Sequence, residues 1–319
     1  MRKLALSAAL ILTAAIFGIS TPGTASADSF KVAFSTWVGY GPLYVALDKG
    51  YFKDEGVDVE LVKMDDPKLR FTALLAGRID MLATTVDTMV LYLKTPDAIS
   101  FICPLDDSNG GDGIVANKDI KTIADLKGKK VAIGVKGSGD DLLAIRILKN
   151  YGITTDNTPF QFIGRSDAQN ALANHQLDAV AMPYARNNRG HLGPVFAARP
   201  VGKSTDFAIP DADKNDAFLA SDKTFFLDKL GEPAFGRPDL VGIAFYQGMA
   251  IRADLSDDLV YRMTKALYEN WDQVLKGAPW WDAPGEASLE SAPAFTTVPY
   301  HPGAVRYYKE KGVWAKYHK

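Results

Sequence analysis

Between residues 31 and 103 the chain alternates two patterns: short apolar-rich runs, and stretches in which apolar residues recur every third or fourth position. The runs at 31–34, 57–62, 81–83 and 99–103 predict strands, and the stretches at 43–48, 69–76 and 88–93 predict helices. Gly77, in A-G-R-I-D, is placed to end the 69–76 helix before the next strand. A Gly/Asp-rich turn with a short strand, 106–117, interrupts the rhythm, which then resumes. A strand is expected at 130–134, a helix at 140–150, a strand at 160–163, a helix at 166–174 and a strand at 179–182. Residues 187–193 and 203–215 read as polar loops. A strand at 242–251 then feeds an amphipathic helix at 256–275, with Ser256 as its cap and Asp257 and Asp258 in its first turn. The tail, 301–319, reads as a last helix. Strands alternating with helices are the signature of α/β architecture with mainly parallel sheets.

The richest local pattern is T-W-V-G-Y-G-P-L-Y-V-A-L-D-K-G-Y-F-K-D-E-G, from Thr36 to Gly56. Gly39 and Gly41 permit a tight turn after the first strand, and Pro42 suits the first turn of a helix. An aromatic turn at the carboxyl end of an α/β strand is a place to hold a small molecule, or simply a βα connection.

Ahead of this segment, residues 1–27 carry the three parts of a secretory leader. Arg2 and Lys3 precede the apolar run 4–19, and Ala25-Ser26-Ala27 is a small-residue cleavage site. No cysteine follows it for lipidation, so a soluble protein of the periplasm is expected. Removing Arg2 and Lys3 with the leader leaves 34 basic side chains against 38 acidic, a net charge of −4. That balance argues against nucleic acid as a partner. The remaining length suits two lobes. Cys103 is the only cysteine and sits in an apolar run, so no intrachain disulfide forms and a buried thiol is expected.

Four stretches, G-P-L-Y-V-A-L-D-K-G-Y-F-K-D-E-G-V-D-V, A-L-L-A-G-R-I-D-M-L-A-T-T, S-N-G-G-D-G-I-V-A and I-A-D-L-K-G-K-K-V-A-I-G, fall in order between residues 36 and 152. Together they resemble extracytoplasmic solute-binding proteins of the NMT1/THI5-like branch, which serves ABC importers of sulfonates, taurine, nitrate and thiamine-pyrimidine precursors. Near the carboxyl end, D-L-S-D-D-L-V-Y-R-M-T-K-A-L-Y-E-N and Y-H-P-G-A-V-R-Y-Y-K-E-K-G resemble the TAXI receptors of TRAP transporters. The resemblance implies a two-lobed, type II-like periplasmic-binding-protein fold, each lobe a mainly parallel sheet flanked by helices, joined by a two-strand hinge. It places 28–117 and 239–319 in the first lobe and 118–238 in the second. It also implies a monomer without cofactor or catalytic residues, whose partners are a small-molecule solute and an inner-membrane permease. The alternatives are a TRAP-type receptor, a sensor module, or an enzyme of pyrimidine-precursor synthesis. The last uses a cysteine-rich motif that a lone Cys103 does not supply.

In such a fold the ligand lies between the lobes, against strand-end loops and helix amino termini. Trp37 and Tyr40 could stack on a flat ligand or pack into the core. Thr84 and Thr85 could donate hydroxyls, with Asp87 as a helix cap or a contact. Asn109 lies beside the lobe crossover, where hinge geometry alone could explain it. In G-V-K-G-S-G-D-D, residues 134–141, Ser138 could face a ligand; Asp140 suggests a cationic portion on it, or merely caps the helix. The glycine spacing is not that of a dinucleotide loop. Tyr184 and Arg186 follow the 179–182 strand, and Arg165 sits on a comparable turn. Asp211 to Asp222 superficially imitates a calcium loop, but Asp216 replaces the needed glycine and Asp222 the bidentate glutamate, so a solvated acidic loop is expected. The histidines form no metal spacing, and neither H-E-x-x-H nor G-x-S-x-G occurs.

Overall fold

The computed structural model describes residues 29–35, 37–93, 97–107, 112–183, 198–200, 202–222, 224–229, 241–277, 289–294 and 297–318. In it the strands are β1 (Phe30–Phe34), β2 (Val59–Lys63), β3 (Met81–Thr85), β4 (Ile99–Asp107), β5 (Asp112–Asn117), β6 (Val131–Ala132), β7 (Phe160–Gln161), β8 (Ala179–Pro183), β9 (Thr205–Phe207), β10 (Phe225–Lys229) and β11 (Val241–Arg252); β9 falls in the stretch expected as a polar loop, and β10 where no strand was expected. They form two sheets. The first has the order β10-β11-β3-β1-β2, with β4 also pairing β11; the second has the order β7-β6-β8-β5-β9. Parallel pairs centre on β1 and β6, while β11 runs antiparallel to β3, β4 and β10, and β5 antiparallel to β8 and β9. Helices flank both sheets, and the architecture is the two-lobed α/β fold of periplasmic binding proteins.

Each sheet has its own core. The first buries Phe52, Met81, Cys103, Met263, Tyr307 and Tyr308, and the second buries Ile120, Val131, Ile133 and Leu148. Each such side chain removed from water contributes about 1.5–3 kcal/mol. Two buried tyrosines of the first core hydrogen-bond to backbone: Tyr308 donates to the Ile102 carbonyl at 2.6 Å and Tyr268 to that of Pro104 at 3.1 Å, whereas the buried Tyr307 hydroxyl has no hydrogen-bond partner among the described residues. A further cluster, Leu143, Phe218, Phe225, Ile243 and Phe245, packs the helices Gly139–Lys149 and Ala212–Ser221 against β10 and β11 of the first sheet.

Several expectations need correction. The strand 112–117, expected to close the first lobe, lies inside the second sheet, and β10, expected in the second lobe, pairs with β11 of the first. Local alternation identifies a strand but not the sheet it joins. The 256–275 helix divides into Asp257–Tyr268 and Trp271–Gly277, where the Asn270 side chain donates to the Ala266 carbonyl. The last helix, Pro302–Glu310, stops before Gly312, which takes a left-handed conformation at φ +72°. It lies so close to the Asp257 helix that a Cβ on Gly303 would come within 2.2 Å of the Asp257 carbonyl oxygen. The acidic segment expected as a loop is a helix, Ala212–Ser221, with Asn215 and Phe218 buried. Its carboxylates therefore radiate around an axis and do not wrap a cation.

Candidate ligand-binding cleft

The ends of β1 and β3, and the loops and helices that open the second lobe, face one another across a cleft of about 760 Å³. From the first lobe it is lined by Trp37, Tyr40, Thr84 and Thr85; from the second, by Ser138 and Asp140. Six of the ten predicted residues thus meet on one surface. Asp87 is not on it: the side chain is buried and lies 3.8 Å from Arg146. Nor does Asp87 cap its helix, since Thr85 holds the N-cap position and Asp87 falls in the first turn. Asn109, Tyr184 and Arg186 lie outside the described residues.

Trp37 is fixed from two sides. Its indole Nε1 donates to Asp106 at 3.0 Å, and the Arg165 guanidinium lies over its ring, 4.5 Å from the centroid. Arg165 in turn grips Asp140 through two bonds, Nε to Oδ2 at 2.8 Å and Nη2 to Oδ1 at 2.9 Å. Burial works against the Arg165 charge, but the Asp140 carboxylate holds its pKa above the ordinary arginine value. A planar fork on a carboxylate with an aromatic face beneath it is an arrangement lysine could not reproduce. The contact crosses from the second lobe to the first, so Trp37 and Arg165 meet where the lobes approach.

The Asp140 expectation changes accordingly. Its charge is committed to Arg165 and is not left for a cationic ligand. Ser138 caps the helix Gly139–Lys149 by accepting from the Asp141 amide at 3.3 Å, while Asp141 accepts from the Gly137 amide at 2.6 Å. The amino terminus of that helix abuts the first lobe: a Cβ on Gly139 would stand 3.1 Å from Thr85 Cγ2. Thr85 and Thr88 share a hydroxyl–hydroxyl bond of 2.7 Å.

Tyr40 is buried at the cleft wall, and burial pushes its hydroxyl up to about 12, with the Arg70 charge opposing. Arg70 is one of the lining residues that sequence reasoning missed, with Ser35, Lys136 and Gln247 among the others. Arg70 lies on the helix Pro67–Leu75, whose buried face is Pro67, Arg70, Phe71 and Leu74. An arginine at i+3 from Pro67 and i−4 from Leu74, on an otherwise apolar stripe, was the available signal. Among the described residues no group of three or more His, Cys, Asp or Glu side chains is placed to hold a metal ion. Cys103 is buried and its thiol is raised far above the usual range by burial.

The model of the NMT1-like family matches residues 96–312, well over half of the chain. The chain belongs to the NMT1-like family. It is 31% identical over 164 residues to a 4-amino-5-hydroxymethyl-2-methylpyrimidine phosphate synthase of Aspergillus parasiticus, covering 47% of each chain. It is 33% identical over 113 residues to an Escherichia coli K12 protein named for binding aliphatic sulfonates, covering 33% of this chain and 35% of that one. The chain spans about half the length, or less, of these curated relatives. Among solved structures, a Bordetella bronchiseptica RB50 protein superposes with a TM-score of 0.53 at 16% identity, covering 90% of this chain and 82% of that one, a likeness of fold.

Proposed function

We propose that this family member is a periplasmic solute receptor: it closes two lobes around one small organic molecule and presents it to an inner-membrane importer, of the ABC type. The observation that carries this reading is the convergence of both lobes on one cleft, with Trp37, Tyr40 and the threonines on one side and Ser138, Asp140 and Arg165 on the other. A ligand bridging the two sides contacts both only when they are close, so binding shifts the population toward the closed form. Sulfonate binding by one relative supports the receptor role. Export fits the leader at residues 1–27, with Asp28 as the mature amino terminus. The division into a first lobe of two chain segments and an inserted second lobe belongs to the same reading.

The test is a thermal-shift screen of sulfonates, amino acids, aromatic acids and pyrimidines, followed by product analysis of every hit. A receptor is stabilised by one chemically coherent set, by about 2.7 kcal/mol at a hundredfold excess over Kd, and returns each hit unchanged. Turnover of a hit would replace the receptor with an enzyme, which is the reading that the synthase relative favours. Absence of any hit would remove the receptor.

A further inference from the structure

The charged groups around the cleft are not equivalent. Asp140 and Arg165 neutralise each other. The amino terminus of the Gly139–Lys149 helix, where an anion might be expected, is already engaged by Ser138 and Asp141. Lys136 is exposed, with its ammonium 5.7 Å from the Phe162 ring centroid. Asp65 and Asp66 are exposed, and Asp66 accepts from the Leu69 amide.

Arg70 differs from all of these. Only 4% of it is exposed, yet it lines the cleft. Its Nη1 donates to the Met64 carbonyl at 2.7 Å, with a long second contact of 3.5 Å to that of Asp65. No acceptor meets Nε, which is sealed from water. Among the described residues no carboxylate pairs with it within 4.0 Å. Tyr40 and the two exposed aspartates are felt only through space. A guanidinium keeps its charge even when desolvated. A buried charge with one good hydrogen bond and no counterion is costly, and that cost is relieved when an oxyanion arrives.

We propose that Arg70 is the anion-recognising residue of this cleft, and that the bound solute carries a carboxylate or sulfonate group seated against it. This rests on the solute-receptor reading and specifies its ligand class. The acid group is held by the first lobe, beside Tyr40 and Thr84, and the remainder of the solute extends toward Trp37 and Arg165. Recognition of the anion then precedes closure, because Arg70 needs nothing from the second lobe.

The experiment uses matched acid and amide probes, benzoate with benzamide and propanesulfonate with propanesulfonamide, within the broader screen, on wild type, Arg70→Gln, Arg70→Lys and Lys136→Gln. The expected result is stabilisation by acids but not by their amides. Arg70→Gln should lose about tenfold or more in affinity for the acids, since a hydrogen bond to a charged group is removed. Lys136→Gln should stay within about twofold, as an exposed, solvated charge. Should Arg70→Gln fail to fold, Arg70→Lys carries the test, because it keeps the charge but not the fork and should also bind acids more weakly. Equal response to acid and amide, or acid binding unchanged in the Arg70 variants, overturns the proposal. So does stabilisation by neutral compounds alone, which leaves the receptor reading standing. Silence from every compound, charged and neutral, sinks both.

Discussion

Replacing Asp140 with alanine opens the bidentate Asp140–Arg165 ion pair on the cleft wall. Its side chain is 9% exposed and that of Arg165 26%, so the pair is mostly shielded and its two bonds of 2.8 and 2.9 Å are charge-assisted in a setting where they count. At 2.8 Å and an effective dielectric of about 20 the Coulomb attraction is roughly 6 kcal/mol, most of which is offset by the desolvation of both charges. The surviving coupling should be about 2 kcal/mol. It is isolated by a cycle of wild type, Asp140→Ala, Arg165→Met and the double variant, each unfolded in urea without ligand. Ligand binding adds a second readout. With Asp140 gone, Arg165 becomes an unpaired cation within reach of the same cleft, so anionic probes should bind more tightly to Asp140→Ala and cationic ones no better than before. A coupling below about 0.5 kcal/mol would mean that solvent screens the pair and that Arg165 is held by Trp37 alone. Weaker anion binding in Asp140→Ala would refute the charge assignment of the cleft.

Two further outcomes are expected. Burial raises the Asp87 carboxyl above its ordinary value, with Arg146 opposing, so the folded protein holds this proton at pH values where the unfolded chain has lost it. Stability therefore falls as pH rises from about 4 through the folded-state pKa; Asp87→Asn should lack that decline, and urea midpoints of the two proteins between pH 4 and 8 should diverge, a constant difference refuting the reasoning. Cys103, fully buried with its thiol raised by burial, should resist iodoacetamide in the folded protein and react on denaturation; rapid native labelling would show that the first core opens.

Much of the cleft was legible because its residues sit at βα junctions, where strand and helix patterns meet. Trp37 and Ser138 could be placed there from Gly39, Pro42 and the glycines of 134–139 alone. What was hidden depended on pairing across the chain. Asp140 looked like a free acid because nothing local says that Arg165, twenty-five residues on, closes on it. Asp87 looked like a cap because its spacing fits one, while the actual backbone turn comes two residues earlier at Thr85. The Ala212–Ser221 helix was obscured by its polar residues, since its buried side, Asn215 and Phe218, includes an amide that hydropathy counts as solvent-facing. Arg70 was missed for the same reason: the buried stripe of its helix contains a charge, and periodicity of apolar residues cannot report one that is not apolar.

The position of β11 bears on when the molecule can assemble. This strand is made after more than two thirds of the chain, yet β3, β4 and β10 all hydrogen-bond to it. Until residues 241–252 have emerged, β4 has no strand partner among the described residues of its sheet, and β3 presents a bare edge. The first lobe therefore cannot be completed by its own amino-terminal portion, and its nucleus must join residues far apart in sequence, a slow step by topology. If the chain is exported as proposed, that delay is an asset: the early segments stay pliable during passage, and the keystone strand arrives among the last to cross.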